Sequence, residues 1–276
     1  MSAYNVLNGA PCSANRQLLQ EILREEWGFD GYVVSDCGAI HDIYSQHKKA
    51  RDLTAAAAAA VGAGCDLNCG GTYGLLKSAA AKGLVSEETI DRSVQRLFEA
   101  RIRLGMFDPP ARVPFRAIAP DVIDSPPHRA RSLVAARRSM VLLKNDGLLP
   151  LSKQLNKVAV IGPNADSLAV LLGNYNGTPS TYTTPLEGIR TIFPGEVVYA
   201  RGCHLTKTNR RGFAEAERIA MAADAVVLCL GLSPQIEGEE GDAFNADQSG
   251  DKPGLKLPGV QEELLEVLAA TGKPLV

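Results

Sequence analysis

The sequence has few of the features that place a chain in a specialised class of protein. Aromatic residues occupy 5% of its 276 positions, and tryptophan occurs once. No apolar run approaches the roughly 18 residues of a membrane-spanning helix. The first residues show no basic segment followed by an apolar one, so no signal peptide is predicted. With 45% hydrophobic and 22% charged residues, the composition excludes extensive disorder and is typical of a globular protein.

The chain also has almost no net charge, which bears on its partners. Its 29 basic and 31 acidic residues give a formal charge of −2. Proteins that attract nucleic acid or anionic membranes over their whole surface carry a clear basic excess. Because the long apolar run of a membrane segment is missing too, we predict neither a nucleic-acid nor a membrane partner.

Motifs for metals and nucleotide cofactors are missing as well. Cys65 and Cys69 are separated by three residues instead of two, and the four histidines are scattered, which does not match a zinc site. The apolar strand and glycine at 157–162 belong to neither G-x-G-x-x-G nor G-x-x-x-x-G-K-[ST]. We predict no metal and no cofactor, while a disulfide among the six cysteines stays open.

Helix and strand patterns alternate along the first hundred residues. Apolar side chains recur at helical spacing over 14–27. The apolar run at 32–36 has the pattern of a strand that is buried on both faces. Further helices are predicted over 52–63, 73–82 and 86–104, with a short strand at 64–68. This order is typical of consecutive βα units.

A proline-rich segment follows these predicted βα units. Six of the 16 prolines lie in residues 106–127, a density that prevents regular helix and sheet. A helix is predicted to follow over 128–143. We predict a first domain over 1–104, a linker with a connecting helix over 105–140, and a second domain over 141–276.

The second region again alternates strands and helices. Strands are predicted at 157–162, 197–201, 225–232 and 273–276, and helices at 185–193, 210–222 and 259–271. This alternation predicts a doubly wound parallel sheet, so the fold class of the whole chain is α/β.

One candidate for chemistry stands at the end of a predicted strand. Asp36 closes the buried run 32–36, and functional groups of parallel α/β sheets cluster at the carboxyl ends of strands. An aspartate that forms a turn or caps a helix fits the same pattern, so the pattern alone leaves both interpretations open.

A second candidate is the long loop at 231–258. It contains Glu237, Glu239, Glu240 and Asp242 within six residues. A loop of this length inside a compact domain is usually functional or mobile, and one of its carboxylates could act as a general acid. A solvated acidic loop is the alternative. The spacing does not match the twelve-residue calcium loop.

Eight segments spread along the chain form a recognisable series. They are the MSAYN and NG-x-PC pattern at 1–12, LLQEILREEWGFDGYVVSD at 18–36, AGCDLNCG at 63–70, LLKNDGLLPL at 142–151, VAVIGPNAD at 158–166, GNYNGTP at 173–179, TPLEGI at 184–189 and GLSPQIEGEE at 231–240. In their order and joint coverage they resemble glycoside hydrolase family 3. The sequence is similar to bacterial β-glucosidase and β-xylosidase members.

The resemblance implies a fold and a set of site residues. The fold is the C-terminal part of a (β/α)8-type barrel followed by an α/β sandwich domain, with the chain truncated at both ends. Asp36 is implied as the nucleophile and Tyr4 as a substrate-binding residue near it. The acid/base is implied to be a loop glutamate, for which Glu239 aligns best and Glu237 and Glu240 are alternatives.

The activity implied is that of an exo-acting retaining β-glycosidase. Such an enzyme removes terminal β-D-glucosyl or β-D-xylosyl residues from oligosaccharides or aryl β-glycosides by double displacement. Retention needs two carboxyl groups about 5–5.5 Å apart, one ionised and one protonated. Because half the barrel is missing, the chain alone is expected to have little or no activity, and a non-catalytic carbohydrate-binding or structural remnant is the alternative. Glucoside against xyloside specificity and the oligomeric state stay open.

Overall fold

A computed structural model describes residues 1–238, 252 and 254–276 of the chain. The chain divides into two compact units, which we call unit 1 (Met1–Pro120) and unit 2 (Asp121–Val276). Both units combine helices with parallel strand pairing, so the predicted α/β class is confirmed.

Unit 1 consists mainly of helices. Its helices are α1 (Gln17–Glu26, with π-type hydrogen bonding), α2 (Ala39–Ser45), α3 (Leu53–Ala63), α4 (Leu76–Ala81) and α5 (Glu87–Arg103). Two short antiparallel strands, β1 (Val6–Leu7) and β2 (Ala10–Pro11), form a hairpin before α1. The sequence pattern indicated all of these helices except α2.

Three extended segments of unit 1 run parallel to one another: the first segment contains Ser2, the middle segment is 32–36 and the third segment is 64–68. Ser2 pairs with Ser35, and Val34 pairs with Leu67, each by an isolated parallel bridge. The short strands predicted at 32–36 and 64–68 are therefore extended segments that pair in parallel, each through isolated bridges instead of a continuous ladder. The middle segment has neighbours on both sides. Its predicted burial on both faces was wrong, because Val33 and Ser35 are buried whereas Tyr32 is 40% exposed.

Side-chain caps and close packing explain the helices of unit 1. The Asp52 carboxylate caps α3 by accepting from the Ala55 amide at 2.7 Å, and the Ser86 hydroxyl caps α5 at the Thr89 amide. Such caps typically contribute about 1 kcal/mol each. The alanines of α3 allow close approach. A buried cluster forms from α1, α2, α3 and the middle and third segments, with Leu19, Val33, Ile40, Ile43, Ala56, Ala60 and Cys65 as members.

Unit 2 contains a parallel sheet with helices on both faces. Its strands are β3 (Lys157–Ile161), β4 (Glu196–Ala200) and β5 (Ala225–Leu228), in the spatial order β4-β3-β5. Leu275 adds a parallel bridge on the far side of β5. The helices are α6 (Pro126–Ser139), α7 (Pro185–Ile192), α8 (Phe213–Met221) and α9 (Gln261–Ala270).

The two faces of this sheet carry separate cores, as a doubly wound sheet requires. Residues of α8 and α9 pack with Ala159 and Ile161 on one face. Leu186 of α7 packs with Val158 and Val160 on the other. The central strand β3 is therefore buried on both sides, which accounts for its unbroken apolar sequence.

One helix of unit 2 is shorter than its pattern predicted. The helix expected over 128–143 is α6, which begins at Pro126 and ends at Ser139. Met140 has an extended backbone (φ −73°, ψ 127°), so the apolar residues that follow do not continue the helix. No helix in the described ranges is both long and apolar enough to cross a bilayer.

Candidate functional site

Asp36 lies at the carboxyl end of the middle parallel segment of unit 1. Its amide donates to the carbonyl of Ser2 at 2.9 Å, and the preceding amide of Ser35 donates to the carbonyl of Leu67 at 2.8 Å. Both neighbouring segments therefore fix the backbone at the position where the carboxylate begins. The side chain is half-buried, and its Oδ1 accepts from the Cys37 amide at 2.8 Å.

The residues on either side of Asp36 join it to the third segment. The buried Ser35 hydroxyl accepts from the amide of Cys69 at 3.0 Å. On the other side, Cys37 forms a disulfide with Cys69, with 4.4 Å between their Cα atoms. Gly38 donates its amide to the carbonyl of Cys69 at 2.8 Å, and its positive φ of 82° turns the chain into α2. Asp36 therefore lies next to the disulfide that joins the end of the middle segment to the end of the third segment.

Tyr4 lies at the end of the first parallel segment, next to the turn after Asp36. Its hydroxyl donates to the carbonyl of Cys37. Its own carbonyl is 2.8 Å from Nε2 of His47. Tyr4 is 45% exposed as a residue, which leaves part of it accessible to a ligand. The structure therefore links Tyr4 by a hydrogen bond to Cys37, the residue that follows Asp36.

A buried carboxylate, Asp66, ties four parts of unit 1 together. Its oxygens accept from Arg24 Nη2 at 2.7 Å, Arg96 Nη1 at 2.8 Å, the Ser93 hydroxyl at 3.0 Å and the Val33 amide at 2.8 Å. The Asp66 side chain has no exposed surface, and that of Arg24 is 9% exposed. Burial lowers the pKa of Arg24, while the adjacent Asp66 charge opposes that effect.

The acidic loop of unit 2 is described at residues 231–238, 252 and 254–258. Glu237 is half-buried, and its Oε2 accepts from the amide of Lys252 at 2.8 Å. Its own amide donates to the carbonyl of Ser233 at 3.0 Å. The carboxylate of Glu237 is thus bonded within its own loop. Glu239 and Glu240 lie outside the described residues.

A buried and a half-buried amide side chain hold the start of this loop at the end of β5. Gln261 is fully buried and accepts from the Gly231 amide at 2.8 Å, while its Nε2 donates to the carbonyls of Gly231 and Leu205. Asn164 donates to the carbonyl of Leu232 at 3.1 Å. At Gly162, a Cβ would lie 2.1 Å from the carbonyl oxygen of Cys229. The loops after β3 and β5 therefore meet closely at the carboxyl edge of the sheet.

The unpaired cysteines have the properties of core residues. Cys65 and Cys203 are buried and Cys229 is half-buried, and burial raises the pKa of each thiol. A raised pKa keeps a thiol protonated and poorly nucleophilic. Within the described part of the chain, no group of three or more His, Cys, Asp or Glu side chains could hold a metal ion.

Sequence reasoning missed several residues that build these regions. Asp66 and Gln261 act through partners that are 27 or more residues away, so no local spacing could indicate them. The disulfide had a weaker signal, because Cys37 and Cys69 each follow the end of a strand-like segment. Ends of neighbouring parallel strands meet at one edge, and this rule could have paired the two cysteines.

Models of two domains of one known family match residues in both units. Residues 1–100 match the model of the glycosyl hydrolase family 3 N-terminal domain. Residues 140–276 match that of the glycosyl hydrolase family 3 C-terminal domain.

Individual relatives match over the length of the chain. The chain is 41% identical over 281 residues to a probable β-D-xylosidase 7 of Arabidopsis thaliana. This match covers 100% of the chain and 35% of that protein. Among solved structures, the exo-β-xylosidase XlnD, in complex with a xylobiose aziridine activity-based probe, is 38% identical with a TM-score of 0.89, over 99% of this chain and 34% of that one.

A β-glucosidase, EmGH1 of Erythrobacter marinus, is 33% identical with a TM-score of 0.84 over 99% of this chain and 39% of that one. The chain spans about a third of the length of the curated relatives that it matches. The chain belongs to glycosyl hydrolase family 3.

Proposed function

We propose that the protein is part of an exo-acting retaining β-glycosidase that hydrolyses terminal β-glycosidic bonds of oligosaccharides. The observation that carries the proposal is Asp36 at the carboxyl end of a parallel segment, in a chain that matches both domain models of one glycosidase family. A half-buried carboxylate on a fixed backbone is suited to nucleophilic attack because its position changes little during the reaction.

In the proposed mechanism, Asp36 attacks the anomeric carbon while the bond from that carbon to the leaving oxygen breaks. The acid/base glutamate supplies a proton to the leaving oxygen, and a covalent glycosyl-enzyme forms on Asp36. The same glutamate, now ionised, then takes a proton from water as the water attacks the anomeric carbon and releases Asp36. Tyr4 binds substrate beside the nucleophile, which its position at the Cys37 carbonyl supports.

Glu239 is our proposed acid/base, and its replacement should have an effect that depends on the leaving group. Glu239→Ala should slow substrates with poor leaving groups by about 10²- to 10⁴-fold, since only these need protonation. Aryl glycosides with activated leaving groups should lose less in the first step. Azide should restore turnover and yield a β-glycosyl azide, because it attacks the intermediate without a general base.

The neighbouring glutamates are matched controls for this experiment. Glu237→Ala should leave the leaving-group dependence unchanged, as the Glu237 carboxylate is bonded to the Lys252 amide within the loop. Glu240→Ala should behave like Glu237→Ala. Azide rescue of either control variant, but not of Glu239→Ala, would reassign the acid/base while leaving the mechanism intact.

We propose β-xylosides as the preferred substrates, with β-glucosides second. In support, the xylosidase relatives named above are 41% and 38% identical to the chain over the aligned residues, and the β-glucosidase is 33% identical. The product of the complete reading frame should hydrolyse aryl β-xylosides faster than aryl β-glucosides. The 276-residue chain alone should show little or no turnover, and a complete product without activity on either substrate would favour the non-catalytic remnant.

We further propose that unit 1 is the C-terminal part of a (β/α)8-type barrel and that unit 2 belongs to an α/β sandwich domain. Three adjacent parallel segments, each followed by helix, support the first assignment, and the β4-β3-β5 parallel sheet supports the second. The domain limits 1–104, 105–140 and 141–276 belong to the same proposal. The share of about a third of the relatives' length supports a longer parent protein.

A further inference from the structure

His47 contacts the candidate site without belonging to its reacting groups. It lies in the turn after α2, where its amide donates to the carbonyl of Asp42 at 2.9 Å. Its imidazole reaches back to the first parallel segment, and Nε2 lies 2.8 Å from the carbonyl oxygen of Tyr4. A carbonyl oxygen only accepts hydrogen bonds, so Nε2 of His47 carries a proton and donates it.

This hydrogen bond is one of two that fix Tyr4, one at its main chain and one at its side chain. The Tyr4 carbonyl is held by His47, and the Tyr4 hydroxyl bonds to the carbonyl of Cys37, the residue after Asp36. Directly after Tyr4 the chain enters the β1–β2 hairpin, whose strands contain two residues each. Such a short hairpin has little stability of its own, so the placement of Tyr4 depends on contacts from outside it.

We infer that His47 is a positioning residue for the reaction: it holds the main chain of Tyr4 and thereby keeps the Tyr4 hydroxyl at the turn that follows Asp36. This inference rests on the proposed function. His47 acts through Tyr4 and needs no contact with substrate. Any side chain that presents an N–H donor at the position of Nε2 can replace it.

Kinetics of the complete reading-frame product test this role. His47→Ala should lower kcat/KM on an aryl β-xyloside by about 10- to 100-fold, the usual cost of misplacing a site group. His47→Gln, which can donate from its Nε2, should retain most of the activity. The matched control is His41→Ala on α2, since the His41 ring bonds to the Ser45 hydroxyl at 2.9 Å, and it should be near wild type.

A double-mutant cycle separates positioning from general stability. In a Tyr4→Phe background there is no hydroxyl to place, so His47→Ala should cost no more than about twofold in addition. Independent effects that simply multiply, or a His47→Gln variant as impaired as His47→Ala, would overturn the inference.

Hydrogen exchange provides a readout that does not depend on activity. Deuterium uptake by the peptide that covers residues 1–8 should rise in His47→Ala and stay unchanged in His41→Ala. Equal uptake in wild type and His47→Ala overturns the inference even if the enzyme is active. A complete product that lacks glycosidase activity refutes the proposed function, and the exchange result still decides whether His47 holds Tyr4.

Discussion

Replacing Asp36 by asparagine is expected to lower glycosidase activity by at least about four orders of magnitude. The amide has nearly the same size as the carboxylate but cannot form the ester bond of a glycosyl-enzyme. The backbone around Asp36 is held by the carbonyls of Ser2 and Leu67, and these bonds do not involve the side chain. The loss should therefore be chemical, with the fold retained.

Covalent labelling measures this prediction directly. The complete reading-frame product should gain the mass of one molecule of a glycosyl aziridine probe, the type of compound bound in the XlnD structure. Asp36→Asn should gain none, and peptide mapping of the wild type should place the label on Asp36.

Asp42→Asn is the matched control for labelling. This carboxylate lies on α2, and its Oδ1 accepts from the Ser45 hydroxyl at 3.0 Å. The variant should be labelled like the wild type. Full labelling of Asp36→Asn, or a label mapped to another carboxylate, would contradict the assignment of Asp36 as nucleophile.

The largest expected effect on stability comes from Asp66→Ala. The change removes the carboxylate that compensates two arginines and leaves the Val33 amide and the nearly buried Arg24 without this acceptor. Breaking a buried ion pair on one side costs about 3–5 kcal/mol. Whole domains are stable by only about 5–15 kcal/mol, so unit 1 should lose much of its stability.

Thermal unfolding checks this prediction against a matched surface pair. Asp66→Ala should lower the unfolding temperature by more than about 10 °C. Asp30→Ala removes the acid of an exposed pair, in which Asp30 lies 3.3 Å from Arg103, and should change the stability by about 0–1 kcal/mol. Similar unfolding temperatures for the two variants would show that the Asp66 network adds no more than an ordinary surface pair.

The sequence was most informative where the structure depends on neighbours within a few residues. The helix predicted over 86–104 is confirmed as α5, and its cap Ser86 is a local feature too, because a cap and its partner amide are three residues apart. The helix α2 was missed. It begins after Gly38 without a side-chain cap, and its seven residues bury only Ala39, Ile40 and Ile43, which is too few for a clear helical period.

Features that join distant segments were beyond the reach of local patterns. The run at 32–36 was correctly assigned an extended character, whereas only Val33 and Ser35 of it are buried. Its pairing consists of single bridges to Ser2 and Leu67, and the regularity of a strand depends on partners that its own sequence does not specify. The helix over 128–143 was predicted too long for a similar reason, since the apolar residues after Ser139 resemble a helical continuation.

The residues of the candidate site likewise fall into those that a local pattern indicated and those that it did not. Asp36 could be singled out from its place after an apolar run, whereas the roles of Tyr4 and Glu239 came from the family resemblance and remain predictions. The surroundings of Asp36 depend on Cys69 and His47, which follow it by 33 and 11 positions in the sequence. Contacts of this kind are determined by the packing of α2 and α3, and so they appear only once the chain is folded.

The disulfide between Cys37 and Cys69 makes the chain between them a closed ring. The ring contains α2, α3 and the exposed turn with Lys48 and Lys49. If a protease cleaves the backbone in that turn, the two fragments stay covalently joined through sulfur. Cys37 and Cys69 are therefore connected in two ways, through the backbone of the ring and through the disulfide. A single cut in the backbone of the ring leaves the disulfide connection intact.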